Sequence, residues 1–489
     1  MSLPNDPLPP SNLPPAPSAV QPPAPSAPTP RAASRRGLMI GGITAALLVV
    51  AWAGSTVYSA GQTEQVSSNL SRTLDTALKA NKLGKVERHT FRRGLTESTD
   101  DTYIVLGENS DAYRLHLRNH IQNGPLPGLS QVGQAAVDTE IIWDAKTQAA
   151  LDKAFAGKKP TIHTLIGLGG ATDTTLQIPA GQYAADGATS TWQALSGQFQ
   201  VGSAGRSVHG TMTWPGGTAG SSEGTATLKD MKYTVDQQPY LKRLSQGTSG
   251  FSVASIQFPG GVGSLNGLNM TTTTAPSGAN LDSRTTLTAS SLSAEGQTFN
   301  GLKLVLSASG LNSSALEGLA EIAQRPEYQD ALKSDDTSTL DATMKKMMAD
   351  LKPALRTLLA GNPRLAVNEV SVQTPQGPLK LSLGAQVVDG GSIPLDTLMS
   401  EDTLKAGADS PALLGLLGNF KLTADIEGNQ KAISGLLGSS GDDTAESVAQ
   451  SIEPMVQEGM ITRKGDTLST HLEFGKDGAT INGKPVPLE

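Results

Sequence analysis

His116 and His120 stand four residues apart, an interval that on a helix would bring two imidazoles to one metal ion, as in HExxH. Leu117 occupies the place of the glutamate. The neighbours also alternate: Tyr113, Leu115, Leu117, Asn119 and Ile121 against Arg114, His116, Arg118 and His120. That period belongs to a strand, where four residues span ~13 Å, too far for both histidines to grip one ion. The residues therefore predict a solvated basic strand face, with anion or headgroup contact as the functional alternative. Gly124-Pro125-Leu126-Pro127 predicts a rigid corner after this strand, with a ligand rim or docking loop as its functional alternative. Gly167-Leu168-Gly169-Gly170 lacks the spacing of a dinucleotide or phosphate loop and predicts a turn between strands. Asp335-Asp336 and Asp442-Asp443 lack the glycine and terminal glutamate of a calcium loop and predict helix starts. No GxSxG elbow occurs, and serines and carboxylates are too numerous to select a triad. No catalytic, cofactor-binding or metal-ligating residue is assigned, and no cofactor is expected.

The elements that would position such residues come from a chain of 489 residues with net charge −7 and no cysteine. Disulfides and thiolate chemistry are excluded. The acidic balance argues against bulk nucleic-acid binding. Aromatic residues make up only 4 % of the chain, while glycine is plentiful, a composition suited to many short strands and turns.

Residues 1–30 hold 12 of the 30 prolines, so residues 1–36 are expected to be a disordered, cytoplasmic, proline-rich tail, or else a docking site for a proline-reading partner. Arg31, Arg35 and Arg36 precede an uncharged run from Leu38 to Tyr58, long enough to cross a bilayer as a helix. Arginines before the run and balanced charges after it place the N-terminus in the cytoplasm and the remainder outside. Residues 37–60 are thus expected to be a transmembrane anchor. The alternatives are a cleaved signal ending near Ala51-Trp52-Ala53 and a twin-arginine export signal at Ser34-Arg35-Arg36.

A helix is expected over residues 63–82. From about residue 85 the period becomes two, with strands around Leu195–Val201, Val208–Trp214, Met231–Val235 and Phe251–Phe258, the last with a phase slip that predicts a β-bulge. Turns are expected at Gly216-Gly217, Gly260-Gly261, Asn266-Gly267 and Asn300-Gly301. A helical insertion is expected at Thr147–Ala156. Leu340, Met344, Met347, Met348, Leu351, Leu355, Leu358 and Leu359 form an apolar helical stripe that Gly361 and Pro363 end and that Pro353 should kink or restart. This stripe predicts core, with a lipid or partner groove as alternative. Strands return at Arg364–Val372 and Leu379–Val388, joined by Pro375-Gln376-Gly377. Helices are expected at Pro394–Leu404, Ala412–Leu417 and Asp443–Gln457, and a closing hairpin at Thr467–Phe474 and Thr480–Ile481.

The chain resembles the YdgA-like family of bacterial envelope proteins, which has no assigned activity. The matching pieces are Phe91-Arg92-Arg93-Gly94, Asn123-Gly124-Pro125-Leu126-Pro127, Leu359-Ala360-Gly361-Asn362-Pro363, Gly377-Pro378-Leu379-Lys380-Leu381-Ser382-Leu383 and Ala479-Thr480-Ile481-Asn482-Gly483-Lys484-Pro485. Asn123 stands where the family pattern leads us to expect a histidine. The resemblance implies an inner-membrane-anchored, extracytoplasmic, β-rich protein and supplies no substrate.

The expected fold is α+β and mainly β: an anchor helix, then extended, twisted antiparallel sheet in a β-rich lobe over residues 61–310 and an α+β lobe over 311–489. The expected function is a non-catalytic binding or structural module of the cell envelope, anchored in the bacterial inner membrane with its bulk periplasmic. Its partners would be the membrane and an envelope protein, cell-wall component or lipid, with no nucleic acid. The alternative is a lipid-handling protein with an apolar sheet groove, loosely like AsmA by architecture alone. An enzyme is a third, weaker reading.

Overall fold

The computed structural model describes residues 84–106, 113–129, 131–185, 187–203, 207–222, 224–294, 296–331, 337–399, 417–438 and 445–486, together with Ser71, Asp75 and Leu78. The chain divides into two units: residues 1–46, which lie outside the described residues, and residues 47–489. The proline-rich tail, the apolar run at Leu38–Tyr58, Asp335-Asp336, Asp442-Asp443 and all but Leu417 of the helix expected at Ala412–Leu417 also fall outside them. Among the described residues no helix is long and apolar enough to cross a membrane. Of the expected 63–82 helix, Ser71, Asp75 and Leu78 are helical; Leu78 is buried, and Asp75 Oδ1 accepts the Val86 N–H at 2.9 Å.

The second unit is built on one antiparallel sheet. Its strands are β1 (Gly84–Arg92), β2 (Glu97–Leu106), β3 (Tyr113–Asn123), β4 (Ala135–Trp143), β5 (Thr161–Ile166), β6 (Thr172–Ile178), β7 (Gly181–Ala185), β8 (Ala188–Trp192), β9 (Leu195–Val201), β10 (Val208–Ser221) and β11 (Gly224–Pro239). There follow β12 (Ser245–Gln257), β13 (Gly263–Ser277), β14 (Asn280–Ala294), β15 (Gln297–Asn312), β16 (Arg364–Thr374), β17 (Gly377–Val387), β18 (Phe420–Asn429), β19 (Thr462–Lys464), β20 (Thr467–Gly475), β21 (Gly478–Ile481) and β22 (Lys484–Val486). Neighbours in sequence are neighbours in the ladder from β1 to β6, then from β9 to β18, and β20 pairs with β18. The β7–β8 hairpin docks β8 on the far half of β10. Strands β19 and β21 share the outer edge of β20, and β22 pairs with β21. The strand that crosses residue 310, β15, is bonded on both sides, to β14 and β16.

The helices are α1 (Ala145–Ala154), α2 (Ser313–Ala323), α3 (Pro326–Ala331), α4 (Thr337–Ala360), α5 (Leu395–Leu398), α6 (Gln430–Gly438) and α7 (Ala445–Gln457). Asn312 caps α2, its side chain accepting the Ala315 N–H at 3.0 Å. Leu355 and Leu359 of the α4 stripe pack on Val387, Ile393 and Leu395, so this stretch is core. A second cluster, Ile121, Ala135, Val137 and Ile166 with Phe91 against it, lies among β3, β4 and β5.

Three expectations need correction. Gly216-Gly217, Asn266-Gly267 and Asn300-Gly301 lie inside strands β10, β13 and β15; of the four expected turns only Gly260-Gly261 is one. The reason is that a positive-φ residue can sit within a ladder whose pairing resumes on either side of it. Asp230 takes φ 51° and Gly267 φ 62°, and the pairing passes over each of them and over Ala254 between them without changing register. The phase slip in β12 is therefore a line of irregular residues crossing adjacent strands, not one extra residue in a bulge. Finally, α4 continues through Pro353 as one helix, so no restart occurs there. Its C-terminus turns through Asn362, at φ 51°, one residue later than the expected Gly361.

Candidate functional site

Alternation fixes which residues share a face, and register fixes which of them meet across strands. In β14–β22 this places two continuous rows on one face. The first runs Thr285, Leu306, Val367, Leu383, Ala424, Leu472 and Ile481. The second runs Ser283, Ala308, Leu365, Ala385, Leu422, Phe474, Ala479 and Val486. Together they line a groove of about 880 Å³. Leu306, Leu365, Leu383 and Leu422 remain 39 %, 59 %, 43 % and 38 % exposed, far from the full burial of core leucines. A contiguous apolar surface of this kind marks a binding site more often than chance exposure does.

The other face of the same strands is polar. It carries Lys303 paired to Glu369 at 2.7 Å, Lys421 paired to Glu473 at 2.8 Å, and His471 Nδ1 against Asp425 Oδ1 at 2.6 Å. Ser382 donates to the second oxygen of Asp425 at 2.7 Å. Hydrogen bonds from His471 and Ser382 hold the Asp425 carboxyl below the usual carboxylate range, with burial opposing. The serine thus bonds the aspartate and not the imidazole, so this cluster has no activated nucleophile.

The residues singled out in β3 sit in a different setting from a solvated face. Asp101, buried on β2, receives His116 Nε2 at 2.6 Å and Arg118 Nε at 2.9 Å. Burial pushes the Asp101 carboxyl up, but the hydrogen bonds from Arg118 and His116 outweigh it and leave the group below its ordinary value. His116 stacks on Tyr103 at 4.1 Å, and the Arg88 guanidinium lies over the other component of that stack, 4.1 Å from the Tyr103 centroid. His120, 3.9 Å from Glu140, and Arg114 are the exposed members of this row. The structure does not bring His116 and His120 together. Adjacent Asp100 points to the opposite face, buried, where His89 meets it at 2.8 Å and Asn119 donates to it at 3.1 Å. Among the described residues no three metal-ligating side chains converge.

The loop Gly124–Pro127 joins β3 to β4, with Gly124 at φ 109° and Pro127 buried. Asn123 Nδ2 donates to Gly94 O at 3.2 Å and to Ser98 Oγ at 2.9 Å, so the Phe91–Gly94 and Asn123–Pro127 segments meet. Gly167–Gly170 is the β5–β6 turn. The apolar rows escape sequence reasoning because each strand shows its own alternation, while register is set by pairing over long separations. Strand β18 was itself findable: Leu422, Ala424 and Ile426 alternate with Lys421, Thr423, Asp425 and Glu427.

Fold and groove together define a β-sheet protein with one apolar and one charged face and a groove on the apolar side. The chain belongs to a family of bacterial proteins of unknown function, DUF945, which matches residues 37–489. No curated protein and no solved structure matches it.

Proposed function

We propose that this chain is an envelope binding protein, anchored in the bacterial cytoplasmic membrane with its bulk outside the cytoplasm, and that its groove receives the hydrocarbon chain of a lipid. The observation that carries the reading is the pair of apolar rows across β14–β22, whose large leucines stay exposed. Every strand from β14 to β18 already has both edges bonded, so a peptide laid across the groove would find no backbone partners there. Hydrocarbon has no such groups to satisfy. The anchor rests on the apolar run Leu38–Tyr58 behind Arg31, Arg35 and Arg36.

The test is lipid extraction and mass spectrometry of the full chain purified from membranes, beside the double variant Leu306→Asp/Leu383→Asp. The native chain should retain at least fivefold more acyl lipid than the variant. Equal lipid in both would sink the groove as the site. Protease protection of intact cells and spheroplasts tests the orientation: digestion of the C-terminal part only after the outer barrier is opened is the expected result.

A further inference from the structure

The groove is the open end of a longer apolar track. Register carries one row through Ile162, Leu176, Gly197, Met212, Tyr233, Phe251, Met270, Leu287, Leu304, Val370, Leu381, Ile426 and Thr470, from β5 to β20. Alternation places Leu304 on the same face as Leu306, and Leu381 on that of Leu383, so this row and the groove share one face.

Exposure along the row changes in one direction. Ile162, Leu176 and Met212 are 5 %, 0 % and 8 % exposed, whereas Met270, Val370 and Ile426 are 38 %, 37 % and 37 % exposed. The row is therefore filled by the protein's own packing up to β10 and is at least partly exposed from β12 onward, although Val253 and Ala289 beside it stay buried. Its charge pattern is equally one-sided. Met231, Tyr233 and Val235, Phe251 and Val253, Leu268 and Met270, Leu287 and Ala289, and Leu302 and Leu304 carry no charge. Lys232, Asp236, Arg284, Lys303 and Lys380 lie on the opposite face. An occupant must be uncharged along the whole open length.

We infer that the open track holds two hydrocarbon chains end to end, across the strands, with its blind end at β10–β11. This deepens the lipid-binding reading and rests on it. From β12 to β20 the ladder crosses seven strand spacings, ~34 Å at roughly 4.8 Å each. A bilayer core of about 30 Å holds two acyl chains tail to tail, so one chain needs about half of that. The three spacings from β12 to β15, over Phe251, Met270, Leu287 and Leu304, take one chain, and the three from β16 to β20, over Val370, Leu381 and Ile426, take the other. Two single-chain lipids laid end to end meet this requirement.

The full chain is reconstituted in phosphatidylcholine vesicles doped with diazirine-labelled palmitate, irradiated, and read both as intact mass and as cross-linked peptides. The expected result is singly and doubly labelled protein, with cross-links on β12–β13 as well as on β16–β18. Met270→Asp should cut the β12–β13 cross-links at least fivefold and leave those on β16–β18. Thr273→Asp, on the polar face of the same strand, should leave both. Single labelling confined to β14–β22 and indifferent to Met270→Asp overturns the two-chain inference while keeping the groove. No cross-link anywhere overturns both, as does finding the face covered by a co-purified polypeptide.

Discussion

Asp101 shows how strongly a single residue is committed to its surroundings. Its carboxylate is buried between His116 and Arg118, at 2.6 and 2.9 Å, and held below its ordinary value by them. A carboxyl lowered on folding stabilises the native state above its unfolded value near 3.9. That contribution is lost as pH falls through the lower, folded value. Asp101→Asn should therefore cost roughly 2–4 kcal/mol at neutral pH, because it leaves the half-buried guanidinium without its counter-charge and offers Arg118 and His116 only a neutral amide oxygen. Urea unfolding from pH 7 down to pH 3 should show the gap between native and variant protein closing on the acid side. A constant gap would place the interaction outside ionisation. Sequence reasoning found the right strand and the right faces here, since Leu115, Leu117 and Ile121 are buried as alternation requires. It took His116 and Arg118 as solvated because their acceptor lies fifteen and seventeen residues away on β2, at a distance that no local pattern encodes.

At the scale of elements, glycines inside strands separate two roles that look alike in sequence. Gly216 sits in β10 at φ 122°, and a Cβ there would lie 2.0 Å from the Leu228 carbonyl oxygen of β11. Gly261, in the turn before β13, has φ 69° with open space around its missing Cβ. Gly261→Ala should cost about 1–2 kcal/mol, the conformational penalty alone. Gly216→Ala adds a backbone clash that only displacement of β11 relieves, so roughly 2–4 kcal/mol is expected. Thermal unfolding of the two variants should rank them in that order; equal losses would mean that β10 and β11 part easily at this point. Both positions read as turn glycines in sequence, since a Gly-Gly pair specifies positive φ without saying whether the ladder stops there. Hydrophobic periodicity was the more faithful guide. The expected strands at Leu195–Val201, Arg364–Val372 and Leu379–Val388 and the helix at Thr147–Ala156 all coincide with elements to within a few residues, because each buries one face of its own.

Along the apolar face of the described sheet, the buried end serves stability and the open end serves binding, and that division can be measured. Leu176 and Leu365 both lie on strands as large apolar side chains on the inward positions of their alternation. Leu176 is fully buried among β5, β6 and β9, while Leu365 is 59 % exposed in the groove. Truncating a buried leucine removes its transfer energy and leaves a cavity, so Leu176→Ala should cost about 2–5 kcal/mol. At Leu365 the side chain is largely in water in the free protein, and no cavity can form. Leu365→Ser should therefore cost less than about 1 kcal/mol in the lipid-free chain. Its effect should appear instead as lost retention of acyl lipid. Native protein stripped of lipid and lipid-loaded protein, each with both variants, can be compared by denaturant midpoint. Lipid should raise the midpoint of native protein and of Leu176→Ala alike, and raise that of Leu365→Ser much less, since a ligand stabilises only in proportion to its affinity for the folded state. If Leu365→Ser instead destabilised the lipid-free chain as severely as Leu176→Ala, the groove would be core that another segment of the chain covers. The apolar face would then serve folding and leave the charged face as the surface on which to seek function.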